Sequence, residues 1–223
     1  MACRGIASRG LRAAPLSMWN DWLATPWLYD LIQRHLGAWE QTSRLLRSEL
    51  ADAGGLRVLD AGAGSGAKTS LVPSTARYVW LDSDPAKLRG FRSRYPAASA
   101  ILGDATRLGV ADAACDYTLC IAVTHHLPPE ALGDLFRELA RVTRRRLLFI
   151  DAVKHPSWSS RAMWLIDRGG YPHTEAALRA ALDASFEIEH AERYARYHHY
   201  LFCRAAPRPA ARQYLQPGGI TRV

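Results

Sequence analysis

The chain has 223 residues, 48% of them apolar, a size and composition that suit one large α/β domain with a substantial core better than two domains. No run approaches the ~18 consecutive apolar residues of a membrane span, so none is expected. The formal net charge of +8 resides at the ends, where Arg4, Arg9, Arg12, Arg204, Arg208, Arg212 and Arg222 supply +7 in stretches without an acid; the middle lacks the basic stripe of a nucleic-acid enzyme, and no nucleic-acid partner is expected.

Residues 1–17, rich in Arg, Ala and Ser, read as a disordered extension or as an organelle transit segment. The first reading goes with a cytoplasmic protein and the second with an organelle matrix. The main domain is expected over 18–206, with a flexible tail over 207–223. From Trp27 to Leu50 the apolar residues Leu28, Leu31, Ile32, Leu36, Trp39, Leu45, Leu46 and Leu50 follow helical spacing, and Gly54-Gly55 ends the helix. Short apolar runs then alternate with helical stretches. Strands are predicted at Leu56–Leu59, Arg77–Leu81, Ala98–Leu102, Tyr117–Val123, Leu147–Ile150, Phe186–Ile188 and Tyr197–Phe202. Helices are predicted near Ala67–Val72, Pro85–Tyr95, Pro129–Val142 and Thr174–Ala184, with Asp84 and Thr174 as N-caps. Uniformly apolar strands alternating with helices imply a parallel sheet covered on both faces. The tract Arg144-Arg145-Arg146 reads as a solvated turn before the fifth strand. Cys3, Cys115, Cys120 and Cys203 form no CxxC pair and no zinc spacing, so no metal site is expected.

The first strand runs into Asp60-Ala61-Gly62-Ala63-Gly64-Ser65-Gly66. Glycines there let the backbone turn tightly and approach a ligand closely, and the following helix offers free N–H groups. Gly62, Gly64 and Ala67 also match a variant of the dinucleotide fingerprint, which keeps a nicotinamide-dependent oxidoreductase as an alternative. Asp60, Asp82 and Asp104 favour a different ligand. They close three successive strands, and that much negative charge suits a cationic sulfonium bearing an ammonium and suits a diphosphate poorly.

The segments "VLDAGAGSG", "YVWLDSDP", "LGDATRL" and "DYTLCIAVTHHLP" together resemble the successive motifs of class I S-adenosylmethionine-dependent methyltransferases, in the branch that includes quinone- and small-molecule-methylating enzymes. The resemblance implies a Rossmann-like, seven-stranded, mostly parallel sheet with an antiparallel last strand. It implies S-adenosylmethionine as cofactor, held by Asp60, Gly62, Ala63, Gly64, Asp82, Ser83, Asp104, Ala105, Ile121 and Ala122. In that scheme Asp60 takes the methionine ammonium, Asp82 the ribose, Asp104 with Ala105 the adenine, and the backbone at Ile121 and Ala122 the methionine end. The glycine-containing turn common before the fifth strand in this family is replaced here by Arg141–Arg146.

Methyl transfer from a sulfonium is an in-line displacement that needs positioning more than acid–base help. His125 and His126 follow the fourth strand, where the sheet's carboxyl ends face the ligand crevice. Either is a candidate base for a phenol or enol acceptor. The alternative is structural: one caps the Pro128-Pro129 helix start and the other lines the methionine pocket. "AVTHHLPP" does not match the Asn/Asp-Pro-Pro-aromatic motif of base- or amide-modifying enzymes. Trp19, Trp22, Trp27, Trp39, Trp158 and Trp164 suggest an apolar wall, with an N-terminal helical lid over 18–53. The expected acceptor is a small hydrophobic or aromatic molecule, methylated at oxygen or carbon. A non-catalytic cofactor-binding subunit is the remaining alternative, and the oligomeric state is not legible.

Overall fold

Strands rich in apolar side chains on both faces must be covered on both faces, and in this chain they are. The computed structural model describes residues 38–167 and 169–209. The expected extension, most of the lid and nearly all of the tail (1–37 and 210–223) lie outside the described residues. In chain order the elements are α1 (Trp39–Glu49), β1 (Arg57–Ala61), β2 (Arg77–Asp82), α2 (Pro85–Arg94), β3 (Ser99–Leu102), β4 (Cys115–Ile121), α3 (Leu132–Val142), β5 (Thr143–Val153), α4 (Trp158–Ile166), α5 (Glu175–Asp183), β6 (Phe186–Ala195) and β7 (His199–Pro207). The strands form one seven-stranded sheet in the order β3-β2-β1-β4-β5-β7-β6. Pairing is parallel from β3 through β5. Only the last strand, β7, runs against its neighbours, inserted between β5 and β6.

Side-chain alternation splits the core in two. Leu59, Ala61, Cys120, Leu147 and Phe149 pack against Leu135, Phe136 and Leu139 of α3 and Leu178 and Leu182 of α5. Val58, Tyr117, Leu119, Leu148, Ile150 and Phe202 pack against Leu46 and Leu50 of α1 on the opposite face. Phe91 of α2 stacks on Trp80 of β2, with ring centroids 5.4 Å apart. Burying a side chain of this size contributes roughly 1.5–3 kcal/mol, so the two clusters hold the strand order firmly. The order reverses between β1 and β4, which puts a crevice at their carboxyl ends.

Several boundaries differ from expectation. The stretch Ala67–Leu71 is a 3₁₀ turn, and α3 begins at Leu132 after a 3₁₀ turn at Pro129–Ala131. β5 is far longer than its apolar run and absorbs Arg144–Arg146, which are therefore not a turn. Arg144 and Arg145 reach Asp116, and Arg146 reaches Glu189. These partners come from β4 and β6 and let charged side chains occupy a strand. No glycine turn is needed between α3 and β5, because the helix passes directly into the strand at Thr143. Its hydroxyl donates to Leu139 O at 2.5 Å and lies 2.7 Å from Thr118 Oγ1. Asp84 and Thr174 do cap α2 and α5, accepting from Ala86 N at 2.7 Å and Ala177 N at 3.2 Å. α4 is a helix the sequence patterning did not mark. Among the described residues no helix is long and apolar enough to cross a membrane.

Candidate active site

β1 delivers Asp60 and the glycine turn to the switch point. The N–H groups of Gly62 and Ala63 both donate to Leu81 O, at 2.8 and 2.9 Å, so the chain bends across the end of β2. Gly62 (φ +74°) and Gly64 (φ +59°) are left-handed, a region that glycine enters without steric cost. A Cβ on Gly62 would stand 2.4 Å from Val123 Cγ2. The glycine turn and the turn after β4 are thus in van der Waals contact. A Cβ on Gly64 would meet nothing within 4 Å, which leaves that backbone open to a ligand.

Asp82 organises the turn. Its Oδ2 accepts from Gly64 N at 2.8 Å, its Oδ1 accepts from Asp84 N at 3.0 Å, and Lys87 Nζ lies 3.5 Å away. Asp60 is wholly buried. Tyr78 donates its hydroxyl to Asp60 Oδ2 at 2.7 Å, while Asp60 Oδ1 has no hydrogen-bond partner among the described residues. Burial pushes this carboxyl up from its ordinary 3.8; the Lys68 charge and the Tyr78 bond work against the rise, and repulsion by Asp82 adds to it. A buried carboxylate oxygen with no donor is a receptor for a cation or an ammonium.

Asp104 stands one strand further out. It is exposed, and its Oδ1 accepts from the backbone N–H and hydroxyl of Thr106, both at 2.8 Å. The structure therefore brings Asp60 and Asp82 together and sets Asp104 at the rim beyond β3, beside the half-buried Ala105. Ser83 is exposed next to Asp82. The Ala63 methyl belongs to the small core of Trp80 and Phe91. Ile121 is buried at the end of β4, and Ala122, just beyond it, is exposed.

The two histidines part ways. His126 is exposed. His125 is buried, with Nδ1 2.6 Å from Asp151 Oδ1 and Nε2 3.7 Å from Asp167 Oδ1. Burial opposes its imidazolium, but the charge of Asp151, its hydrogen bond and the charge of Asp167 outweigh that and raise His125 above 6.5. Burial likewise opposes the Asp151 carboxylate, yet His125, the Thr124 hydroxyl and the Ala152 N–H hold it at about 2. His198, near β7, places Nε2 3.5 Å from Asp167 Oδ2. The loop after α4 also folds onto this group, where Tyr171 N–H donates to His125 O at 3.0 Å.

Residues 58–146 match the family model described as a methyltransferase domain. Over those residues the chain carries a class I methyltransferase domain. S-adenosylmethionine is the methyl donor of that class. No curated protein matches the sequence. Solved structures do. Magnesium protoporphyrin IX methyltransferase of Synechocystis PCC 6803, with bound S-adenosylhomocysteine, is 21% identical with a TM-score of 0.66, covering 86% of this chain and 99% of its own. The 1,6-didemethyltoxoflavin-N1-methyltransferase of Burkholderia thailandensis, with its substrate and S-adenosylhomocysteine bound, is 20% identical with a TM-score of 0.64, covering 90% and 93%. The PH0226 protein of Pyrococcus horikoshii OT3 is 18% identical with a TM-score of 0.63, covering 81% and 92%. At these identities the structures show a shared fold.

The sequence patterning assigned no site role to Tyr78, Asp151 or Asp167, and marked His198 only as a packed or edge residue. Asp151 carried a readable signal, since it directly follows the apolar run Leu147–Ile150, much as Asp60 and Asp82 follow theirs. Asp167 and His198 carried none, because their proximity arises only when the α4 loop and the start of β7 meet above β5.

Proposed function

We propose that this methyltransferase passes its methyl group to a small hydrophobic or aromatic acceptor, at oxygen or carbon. The observation that carries the site assignment is the buried Asp60 carboxylate, with one oxygen lacking a donor, beside a left-handed glycine turn at the β1–β4 switch point. In this reading Asp60 receives the methionine ammonium. Gly62 and Gly64 run beneath the methionine and ribose, with Ala63 and Ser83 at the flanks. Asp82 serves the ribose, Asp104 and Ala105 the adenine, and Ile121 and Ala122 the methionine end. When bound, the cofactor supplies an electrophilic methyl on a sulfonium. The chain's own task is to exclude water and hold the acceptor atom in line.

His126 is the better placed of the two histidines to meet an acceptor, because His125 is enclosed and already flanked by two carboxylates. His126 is therefore the candidate base and His125 a positioning group. An apolar acceptor is supported by Trp158, Leu165 and Tyr171, which stand 82%, 87% and 44% exposed on α4 and the loop after it. Large apolar side chains left exposed are candidates for a binding surface. The neighbours that act on a porphyrin and a toxoflavin precursor are in keeping with a flat, conjugated acceptor.

The test has two parts. Thermal shift should show stabilisation by S-adenosylhomocysteine and none by NADH; stabilisation by NADH alone would end the cofactor reading. Incubation with methyl-labelled cofactor and a fractionated metabolite extract should then label a small apolar product. Label found only in protein or RNA would overturn the acceptor class.

A further inference from the structure

Ala122 has φ +58°, a backbone state that alanine adopts only where its surroundings hold it. The surroundings here are specific. Ala122 N–H donates to Ile150 O at 2.9 Å. The next two residues give three donors to a single oxygen of Asp151. Val123 N–H reaches Oδ2 at 3.0 Å, Thr124 N–H at 2.7 Å and the Thr124 hydroxyl at 2.6 Å. The other oxygen faces His125 Nδ1 at 2.6 Å and takes Ala152 N–H at 2.8 Å. Asp151 is 1% exposed, so it touches no ligand itself. Its effect is exerted on the turn that follows β4. That turn also presses Val123 onto Gly62, which couples it to the glycine turn of β1.

We propose that Asp151 is a positioning residue for cofactor binding. It clamps residues 123–125 so that Ala122 stays left-handed and presents its backbone edge to the methionine end of the crevice. The inference rests on the reading of that crevice as the S-adenosylmethionine site. It adds a residue that no motif of the domain match carries, since Asp151 lies beyond residues 58–146.

A clamp and a merely structural carboxylate differ in their response to glycine at position 122. Glycine enters the left-handed region freely, so a chain with glycine at 122 depends less on the clamp. S-adenosylhomocysteine affinity is measured by calorimetry for the wild-type chain, Asp151→Asn, Ala122→Gly and the double variant, with folding checked by circular dichroism. Asp151→Asn should weaken binding at least tenfold. Ala122→Gly should recover at least threefold of that loss, and should improve affinity more in the Asp151→Asn background than alone. If Asp151→Asn does not fold, Thr124→Val removes one donor while leaving the carboxylate in place. It should weaken binding at least threefold, with recovery by Ala122→Gly. Affinity within twofold of wild type in the clamp variant, or an equal effect of Ala122→Gly in both backgrounds, overturns the proposal. A folded wild-type chain that binds no S-adenosylhomocysteine overturns the cofactor reading and this inference with it.

Discussion

Replacing Gly62 by alanine incurs two costs, only one of which the neighbouring Gly64 shares. Both positions are left-handed, at φ +74° and +59°, and forcing an L-residue there costs roughly 1–2 kcal/mol. At Gly62 the new methyl would also stand 2.4 Å from Val123 Cγ2. Val123 is held by its own N–H bond to Asp151 and is 9% exposed, so it has little room to retreat. Overpacking of that kind adds about 1–3 kcal/mol. Gly62→Ala should therefore lose about 2–5 kcal/mol of stability, and Gly64→Ala only about 1–2 kcal/mol. Urea denaturation followed by circular dichroism, with the slope m unchanged between proteins, reads the difference. The order should invert for ligand binding relative to stability, since the Gly64 methyl enters the open space assigned to the cofactor. Gly64→Ala should lose S-adenosylhomocysteine affinity out of proportion to its small loss of stability. Equal destabilisation by the two substitutions would refute the claim that the β1 and β4 turns are locked together through Val123.

Asp60→Asn removes a charge that burial and Asp82 disfavour, so the ligand-free protein should melt no lower than wild type, while S-adenosylhomocysteine binds about tenfold more weakly, a loss of about 1.4 kcal/mol. Unchanged affinity would remove Asp60 from the cofactor site. The His125–Asp151 pair sets a pH dependence of definite sign. His125 is raised above 6.5, so its contribution is complete below pH 6.5 and is lost as pH rises through its folded-state value. Asp151 is lowered from 3.8 to about 2, so its contribution is present above pH 3.8 and is lost as pH falls toward 2. Urea midpoints measured from pH 6 to 9 should decline in wild type more steeply than in His125→Asn; parallel curves would show that the pair does not carry the alkaline limb. Thr143→Val takes the hydroxyl away from Leu139 O and Thr118 Oγ1 and should cost about 1–3 kcal/mol. A loss below about 0.5 kcal/mol, the lower end of a net hydrogen-bond contribution, would mean the direct helix-to-strand junction does not depend on it.

What the chain encodes locally was legible in its letters. Seven apolar runs, the Asp60–Gly66 turn and the acids closing β1 and β2 report short-range demands, namely burial on two faces, a tight bend and a carboxylate at a strand tip. Each is satisfied within a few residues, so the order of residues alone expresses it. The length of β5 was not legible, because Arg144–Arg146 become strand residues only when Asp116 and Glu189 arrive from other strands to pair with them. The left-handed state of Ala122 was hidden for the same reason, since alanine has no preference for it and the restraint comes from Asp151, 29 positions away. The separate characters of His125 and His126 lay deepest. Adjacent in sequence and identical in kind, one is enclosed between Asp151 and Asp167 and the other faces outward. Side chains of successive residues leave a turn in different directions, and only the packing of the α4 loop over the sheet determines which of them is covered.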